Sequence, residues 1–307
     1  MTRVVFVLTP GLHLLDLSGA AQAFSTAADF GHDYRLSYVA ETPSIITAQG
    51  LPVQAETTWP GPDSTDLLLV PGWRTAEREH GALSAAGLNR LSAHHARGGT
   101  VASVCSGAFA LGRAGLLDDR RCTTHHELQE ELARQHPRAH VVRDVLFIED
   151  ERVVTSAGIA SGIDLALHLI ATDHGPAAAA RVARSMVVYG RRNGDAQQLS
   201  PMLRHRAHLN DSVHRVQDLI DKEFDRPLRL GDLASVAGVS DRTLTRAFAC
   251  ATGLTPLRYQ QTLRLERAEQ LIARGDTVEA AARSVGFADA RMLRRLRAPR
   301  SPTLQDR

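Results

Sequence analysis

Cys105 is the residue with the most chemistry open to it. It lies in GGTVASVCSGAFALGRAGLL, which reads as a buried strand, then a thiol, then a helix starting near Gly107. A cysteine at such a junction sits on a strained strand-to-helix turn, facing the groove at the carboxyl ends of the strands. The amides that open the helix would stabilise its thiolate. The plainer alternative is a small buried hydrophobe, as most cysteines are. Acyl chemistry would need an activating base, yet the next residue is Ser106. His125 and His126 follow a candidate strand. Adjacent residues on an extended segment point to opposite sides, so at most one is expected to face the groove. His125 is the candidate, with a structural role for that ring equally open.

Several chemistries lack their residues. HHELQE has no second histidine in the HExxH pattern, so a zinc peptidase is unsupported. Lys222, in DKEF, is the sole lysine, which removes any GxxxxGK phosphate loop. Cys105, Cys122 and Cys250 are odd in number, widely spaced and without a CxxC pair. They read as reduced thiols, not as disulfides or zinc ligands. Neither metal nor cofactor is expected.

A second kind of chemistry is written near the other end. In LGDLASVAGVSDRTLTRAF, from Leu230 to Phe248, Leu233, Ala237, Val239 and Leu244 fall where two short helices at a tight turn would share a core. Ala234 is small where the helices approach, and Gly238 sits where the chain must turn. Ser240 is placed to cap the second helix with its hydroxyl. This is the grammar of a DNA-binding helix-turn-helix, whose second helix enters the major groove; a generic helical hairpin is the alternative. A near-copy follows in VEAAARSVGFADARMLRR, Val278–Arg295, with Gly286 for Gly238 and Phe287 for Val239. Asp241, Arg242, Thr245 and Arg246 take the outward positions of the first recognition helix, beside the cap Ser240. Arg242 or Arg246 could donate two hydrogen bonds to guanine O6 and N7, or hold a phosphate without reading a base. Arg291, Arg294 and Arg295 are the candidates in the second.

These residues need scaffolds of two kinds. Strand-like runs at Val4–Leu8, Arg35–Ala40, Leu67–Val70, Val101–Val104, Val145–Ile148 and Val153–Ser156 alternate with amphipathic helical runs. That alternation predicts an α/β fold with a mainly parallel sheet covered on both faces. An Ala-rich helix, Ala177–Val188, precedes RRNGDAQQLSP, which lacks apolar periodicity and reads as a joint. Beyond Ser212 every segment reads as helix, including a long one near Pro256–Ala273 between the two hairpins. At ~1.5 Å per residue that helix spans roughly 27 Å, which places the recognition helices near one DNA turn, ~34 Å, apart. The expected domains are 1–190, a linker 191–211 and 212–307.

The chain has 307 residues, 43% hydrophobic and 23% charged, enough for two domains with real cores. It has no apolar run long enough to span a bilayer and opens directly into a strand pattern, so no membrane partner and a cytoplasmic location are expected. The net charge of +2 hides an asymmetry. From Asn210 onward there are 17 Lys and Arg against 13 Asp and Glu, leaving 19 against 21 before it. A basic C-terminal part suits a DNA-contacting module, though a modest arginine excess is often only a solvated face.

With its three quoted segments LGDLASVAGVSDRTLTRAF, TGLTPLRYQQTLRLERAEQLI and VEAAARSVGFADARMLRR, the C-terminal part resembles the AraC/XylS transcription regulators. The resemblance implies binding to double-stranded promoter DNA and contact with RNA polymerase, usually for activation. The ending departs from the family pattern. Arg297 replaces an aromatic one turn beyond Leu293, and Pro299 should stop the helix early, so the second subdomain is expected to be loosely folded. LLDLSGAAQAF, LLLVPGW, SVCSGAFALGRAGLL, CTTHHELQEEL and VVTSAGIASGIDLALHLI make the first half similar to the ThiJ/PfpI (class I glutamine-amidotransferase-like) superfamily, a flavodoxin-like α/β sandwich with a nucleophile-elbow cysteine. The combination resembles GlxA-like regulators, thought to sense small nitrogenous metabolites, and implies a homodimer.

Carried over from that resemblance, Asp16 is the acid that approaches Cys105, and Gly72 and Trp73 line the same groove. Asp16, Gly72, Trp73, Cys105, Ser106 and His125 are thus the candidate effector site. Peptidase members place histidine directly after the cysteine, where this chain has Ser106. Isonitrile hydratases place threonine there, so an enzyme using Cys105 and Asp16 is the rival to an effector-controlled transcription regulator. A constitutive DNA binder is the third possibility. Trp73 also offers a face for cation–π capture of an ammonium group, or a ring packed on the sheet.

Overall fold

The computed structural model describes residues 2–61, 65–74, 83–188, 192–198, 204–273 and 275–297. The chain divides into two compact units, Met1–Gln198 and Leu199–Arg307.

In the first unit, the apolar runs pair into a six-stranded sheet whose central strands, Leu67–Val70, Thr100–Val104 and Val153–Ser156, are buried along nearly their whole length. Its strands are β1 (Thr2–Val7), β2 (Tyr34–Val39), β5 (Leu67–Val70), β6 (Thr100–Val104), β9 (Phe147–Asp150) and β10 (Val153–Ser156). The spatial order is β2-β1-β5-β6-β10-β9, parallel throughout except for β9 against β10. Helices α1 (Leu14–Asp29), α5 (Ser161–His174) and α6 (Pro176–Ser185) close one core, around Phe6, Phe24, Leu69 and Leu165. Helices α2 (Ala85–Ala96), α3 (Ala108–Arg113) and α4 (Gln129–Gln135) cover a second, around Val5, Leu91, Val101 and Leu111. The α/β expectation holds.

Three local expectations shift. The strand expected at Val145–Ile148 runs over Phe147–Asp150, because Leu146 N–H instead donates to the carbonyl of Gly194. Two short pairs went unread: the hairpin β3 (Ser44–Ile46) with β4 (Pro52–Gln54), and β7 (Arg121–Cys122) beside β8 (His140–Val141). At two or three residues each, they are too short to show a period.

The second unit is helical: α7 (Asp211–Lys222), α8 (Leu230–Ala237), α9 (Asp241–Thr252), α10 (Pro256–Ala273), α11 (Val278–Ser284) and α12 (Ala290–Arg297). The turn between α8 and α9 places Gly238 at φ 69°, and Ser240 Oγ accepts from Thr243 N–H at 3.3 Å. Leu233, Ala234, Ala237 and Leu244 are buried as expected, packed with Val213, Val216, Ile220, Phe248, Tyr259 and Leu263. Val239 is not in that core: it is 37% exposed, since α7 and α10 already fill the space. Its counterpart Phe287 is buried.

The second hairpin has other residues to pack around in place of the terminal aromatic. Ala268, Ala281, Ala282, Val285, Phe287 and Leu293 form a core of their own, with Phe224 against it. Asp289 Oδ1 caps α12 by accepting from Arg291 N–H at 2.8 Å and Met292 N–H at 3.2 Å. Pro299 and the rest of the ending lie outside the described residues, as do 189–191 and 199–203 of the expected linker. Among the described residues no helix is long and apolar enough to cross a membrane.

Candidate effector cleft and nucleic-acid interface

The candidate effector site is assembled where β6 ends. Cys105 follows Val104 at φ 55°, a left-handed conformation that costs a non-glycine residue roughly 1–2 kcal/mol. The chain then makes a single 3-10 turn, Cys105–Gly107, into α3. A sharp turn of this kind lifts the side chain out of the sheet at the carboxyl end of the strand. The Cys105 thiol is nevertheless almost fully covered, at 7% exposure.

Two backbone segments crowd against it because both lack side chains at the contact. A Cβ on Gly72 would lie 2.4 Å from Asp16 Oδ2 and 2.8 Å from Cys105 Cβ. A Cβ on Gly158 would lie 2.3 Å from Cys105 Cβ, and its φ of 106° is itself one that side chains avoid. The loop after β1 is tied to the Gly72 segment by His13 N–H donating to the Gly72 carbonyl at 2.8 Å. That tie delivers the first turn of α1, and Asp16 with it, to the thiol.

Asp16 is completely buried. Its Oδ1 accepts from Ile159 N–H at 2.8 Å, while Oδ2 has no well-formed hydrogen bond. Burial pushes the carboxyl above its usual value; the Ile159 and Gly72 amides, the His13 ring and the Cys105 thiol pull only part of the way back. A carboxyl in this setting holds its proton more readily than a free one, beside a thiol that sits within its reach.

The remaining candidates fall into two groups. Ser106 is committed: its Oγ accepts from Trp73 N–H at 2.7 Å, and its hydroxyl donates to the Trp73 carbonyl at 2.9 Å. The Trp73 indole packs into the second core, at 3% exposure, and its Nε1 has no hydrogen-bond partner. A ring covered in this way presents no face for cation–π capture; Trp73 borders the cleft through its backbone. His125 directly follows Thr124, whose hydroxyl donates to the Cys105 carbonyl at 2.7 Å. Burial and the neighbouring His126 lower the His125 pKa.

The expectation that His125 and His126 point oppositely is overturned. Their ring centroids lie 4.2 Å apart, because His126 already begins a 3-10 turn and the strand alternation no longer applies. Residues missed in the sequence are His13, Thr124, Gly158 and Ile159. The signal for the last two was present in TSAGIASG, directly after a strand end. Thr124, whose hydroxyl donates to the Cys105 carbonyl at 2.7 Å, carried no such signal.

The helical unit offers the other surface. Asp241, Arg242 and Arg246 are exposed on α9; Thr245 is half-buried and its hydroxyl donates to the Asp241 carbonyl at 2.9 Å. On α12, Arg291 is exposed, Arg294 is paired with Glu279, and Arg295 lies against the Met292 sulfur. Both recognition helices thus turn arginines to solvent while Leu244 and Leu293 face inward. Arg264, on the connecting α10, donates to the carbonyls of Phe224 at 2.6 Å, Arg226 at 2.8 Å and Gly286 at 2.9 Å. One guanidinium therefore joins the turn of the second hairpin to the segment that precedes the first. Among the described residues no group of three or more His, Cys, Asp or Glu side chains is placed to hold a metal ion.

The DJ-1/PfpI family profile matches residues 2–172, and a helix-turn-helix domain profile matches 233–297. The chain is 30% identical over 233 residues to the HTH-type transcriptional regulator GbdR of Pseudomonas aeruginosa; the match covers 74% of this chain but 61% of that regulator. It thus spans less than two thirds of that relative's length. It is 31% identical over 170 residues to an isonitrile hydratase of Pseudomonas putida, covering 54% of this chain and 70% of the enzyme. A crystal structure of an AraC family transcriptional regulator from Pseudomonas putida aligns with a TM-score of 0.53 at 24% identity, over 61% of this chain and 100% of that one. At that identity the likeness speaks for the fold alone.

Proposed function

The chain belongs to the DJ-1/PfpI family and joins that fold to an AraC-type helix-turn-helix region, and from this premise we propose that it is a sequence-specific DNA-binding transcription regulator controlled by a small nitrogenous metabolite. One observation carries the DNA half: two capped hairpins in one compact unit each turn an arginine-bearing helix to solvent. Arg242 and Arg246 read or hold the first groove, and Arg291, Arg294 and Arg295 the second. The metabolite sits among Asp16, Gly72, Cys105 and His125, where the His125 imidazole, its pKa lowered, offers an acceptor to ligand N–H groups. Ser106 and Trp73 hold the wall of that cleft through their mutual hydrogen bonds. Action in the cytoplasm, a homodimer and contact with RNA polymerase complete the proposal.

Mapping the chain's binding sites across its genome tests this. Discrete promoter sites beside genes for handling a nitrogenous compound are expected; occupancy that simply follows DNA content would remove the regulator.

A second function is favoured by a separate observation. Cys105 at φ 55° beside a proton-retaining Asp16 is the arrangement of a thiol catalyst with its acid. Replacing Cys105 by Ser separates the two: a sensor keeps its DNA binding, whereas a catalyst loses turnover of isonitriles or amides.

A further inference from the structure

Residues 192–198, at the end of the first unit, are fastened along it by a series of hydrogen bonds. Arg192 meets the buried Asp164 of α5 through its backbone N–H at 3.1 Å and its guanidinium at 3.1 and 2.6 Å. The Gly194 carbonyl accepts from Leu146 N–H at 2.8 Å and Phe147 N–H at 3.3 Å, closing the edge beside β9. Gln198 N–H donates to Asp144 Oδ1 at 3.1 Å, and Gln198 Nε2 donates to the carbonyls of Thr124 at 2.9 Å and Val145 at 3.0 Å. Thr124 is the residue whose hydroxyl holds the Cys105 carbonyl. A second path runs from Asp16 through Ile159 into α5, which carries Asp164.

We propose that residues 192–198 form an output strap, and that Gln198 and Arg192 are the residues through which occupation of the Cys105 cleft reaches the DNA-binding unit. The proposal rests on the cleft being an effector site. A ligand that moves the Cys105 carbonyl disturbs Thr124, and Thr124 holds Gln198. The Gln198 side chain is held through its Nε2 alone, since its Oε1 is buried without a hydrogen-bond partner. Gln198 is also where the first unit ends, so a change at this latch is a change at the start of the connection to the helical unit.

The test uses the full chain with Cys250→Ser, so that iodoacetamide reports on Cys105; Cys122 is wholly buried. The DNA probe is a duplex selected by this protein from a random pool. Coupling through the strap predicts that saturating duplex changes the Cys105 alkylation rate about fivefold or more. With Gln198→Ala, and separately with Arg192→Ala, the change should shrink below about twofold while the duplex still binds. A change that survives both substitutions overturns the strap, as does a bound duplex that leaves Cys105 unaffected before any strap substitution. Failure to select any duplex removes the regulator itself, a different result. Gln198 is half-exposed at the end of the unit, so Q198A keeps the test open if R192A does not fold.

Discussion

Asp16 and Ile159 are 143 residues apart in the chain, yet Asp16 Oδ1 accepts the Ile159 N–H at 2.8 Å. Ile159 has φ 50°, an outlier for a β-branched residue, and is 45% exposed. The carboxyl thus pins a strained loop beside Cys105.

Asp16→Asn keeps an oxygen for Ile159 and removes the ionisable group, whereas Asp16→Ala strands the amide. D16A should cost about 1–3 kcal/mol more than D16N in urea unfolding. The pH dependence has a definite sign. Burial lifts the folded-state pKa above the ordinary 3.8, so the carboxyl favours folding most at low pH and loses that contribution as pH rises through the folded-state value. Melting D16N against the wild type between about pH 4 and pH 8 should therefore show N gaining on D as the pH rises. A gain that shrinks with rising pH contradicts this account.

Ser106→Ala removes both bonds to the Trp73 backbone. A loss of about 1–3 kcal/mol in unfolding of the first unit is expected. If S106A instead leaves stability unchanged, the hydroxyl is free for ligand and the wall assignment fails.

Arg264→Met keeps the aliphatic stem and abandons three carbonyls. Chemical denaturation should show about 2–5 kcal/mol lost in the helical unit. Arg264→Lys should recover only a minor share, because an ammonium cannot reproduce the planar fork. Full recovery by lysine would show that charge, not the fork, holds the second hairpin.

The parts legible in the sequence were those with long periods or strong punctuation. The β–α alternation, the elbow at Cys105 and the capped turn at Gly238 all appear where residue types alone placed them. Val239 and the His125–His126 pair were misjudged because each depends on what happens next in space: α10 filling a core, or a 3-10 turn beginning at His126. Ile159 meets Asp16, Thr124 meets Cys105 and Gln198 meets Thr124 only through tertiary hydrogen bonds spanning 19 to 143 residues. No local pattern encodes such contacts. The Ser106 hydroxyl was visible, but its use by the Trp73 backbone was not.

Arg242→Ala and Arg246→Ala each should weaken binding of a selected duplex by about 1–3 kcal/mol. An arginine that reads a base also relaxes the preference at one position, whereas a phosphate contact lowers the salt slope by about one. Glu279 holds Arg294 in the free protein, so Glu279→Gln should tighten duplex binding. Weaker binding by E279Q would place Arg294 away from the DNA.

The most direct measurement is competition binding of the purified chain at near-physiological salt, with a selected duplex against random-sequence competitor. A regulator that reads base edges is expected to prefer its duplex by about 10³-fold or more. Equal affinity for both, however tight, would contradict sequence recognition by the two arginine-bearing helices.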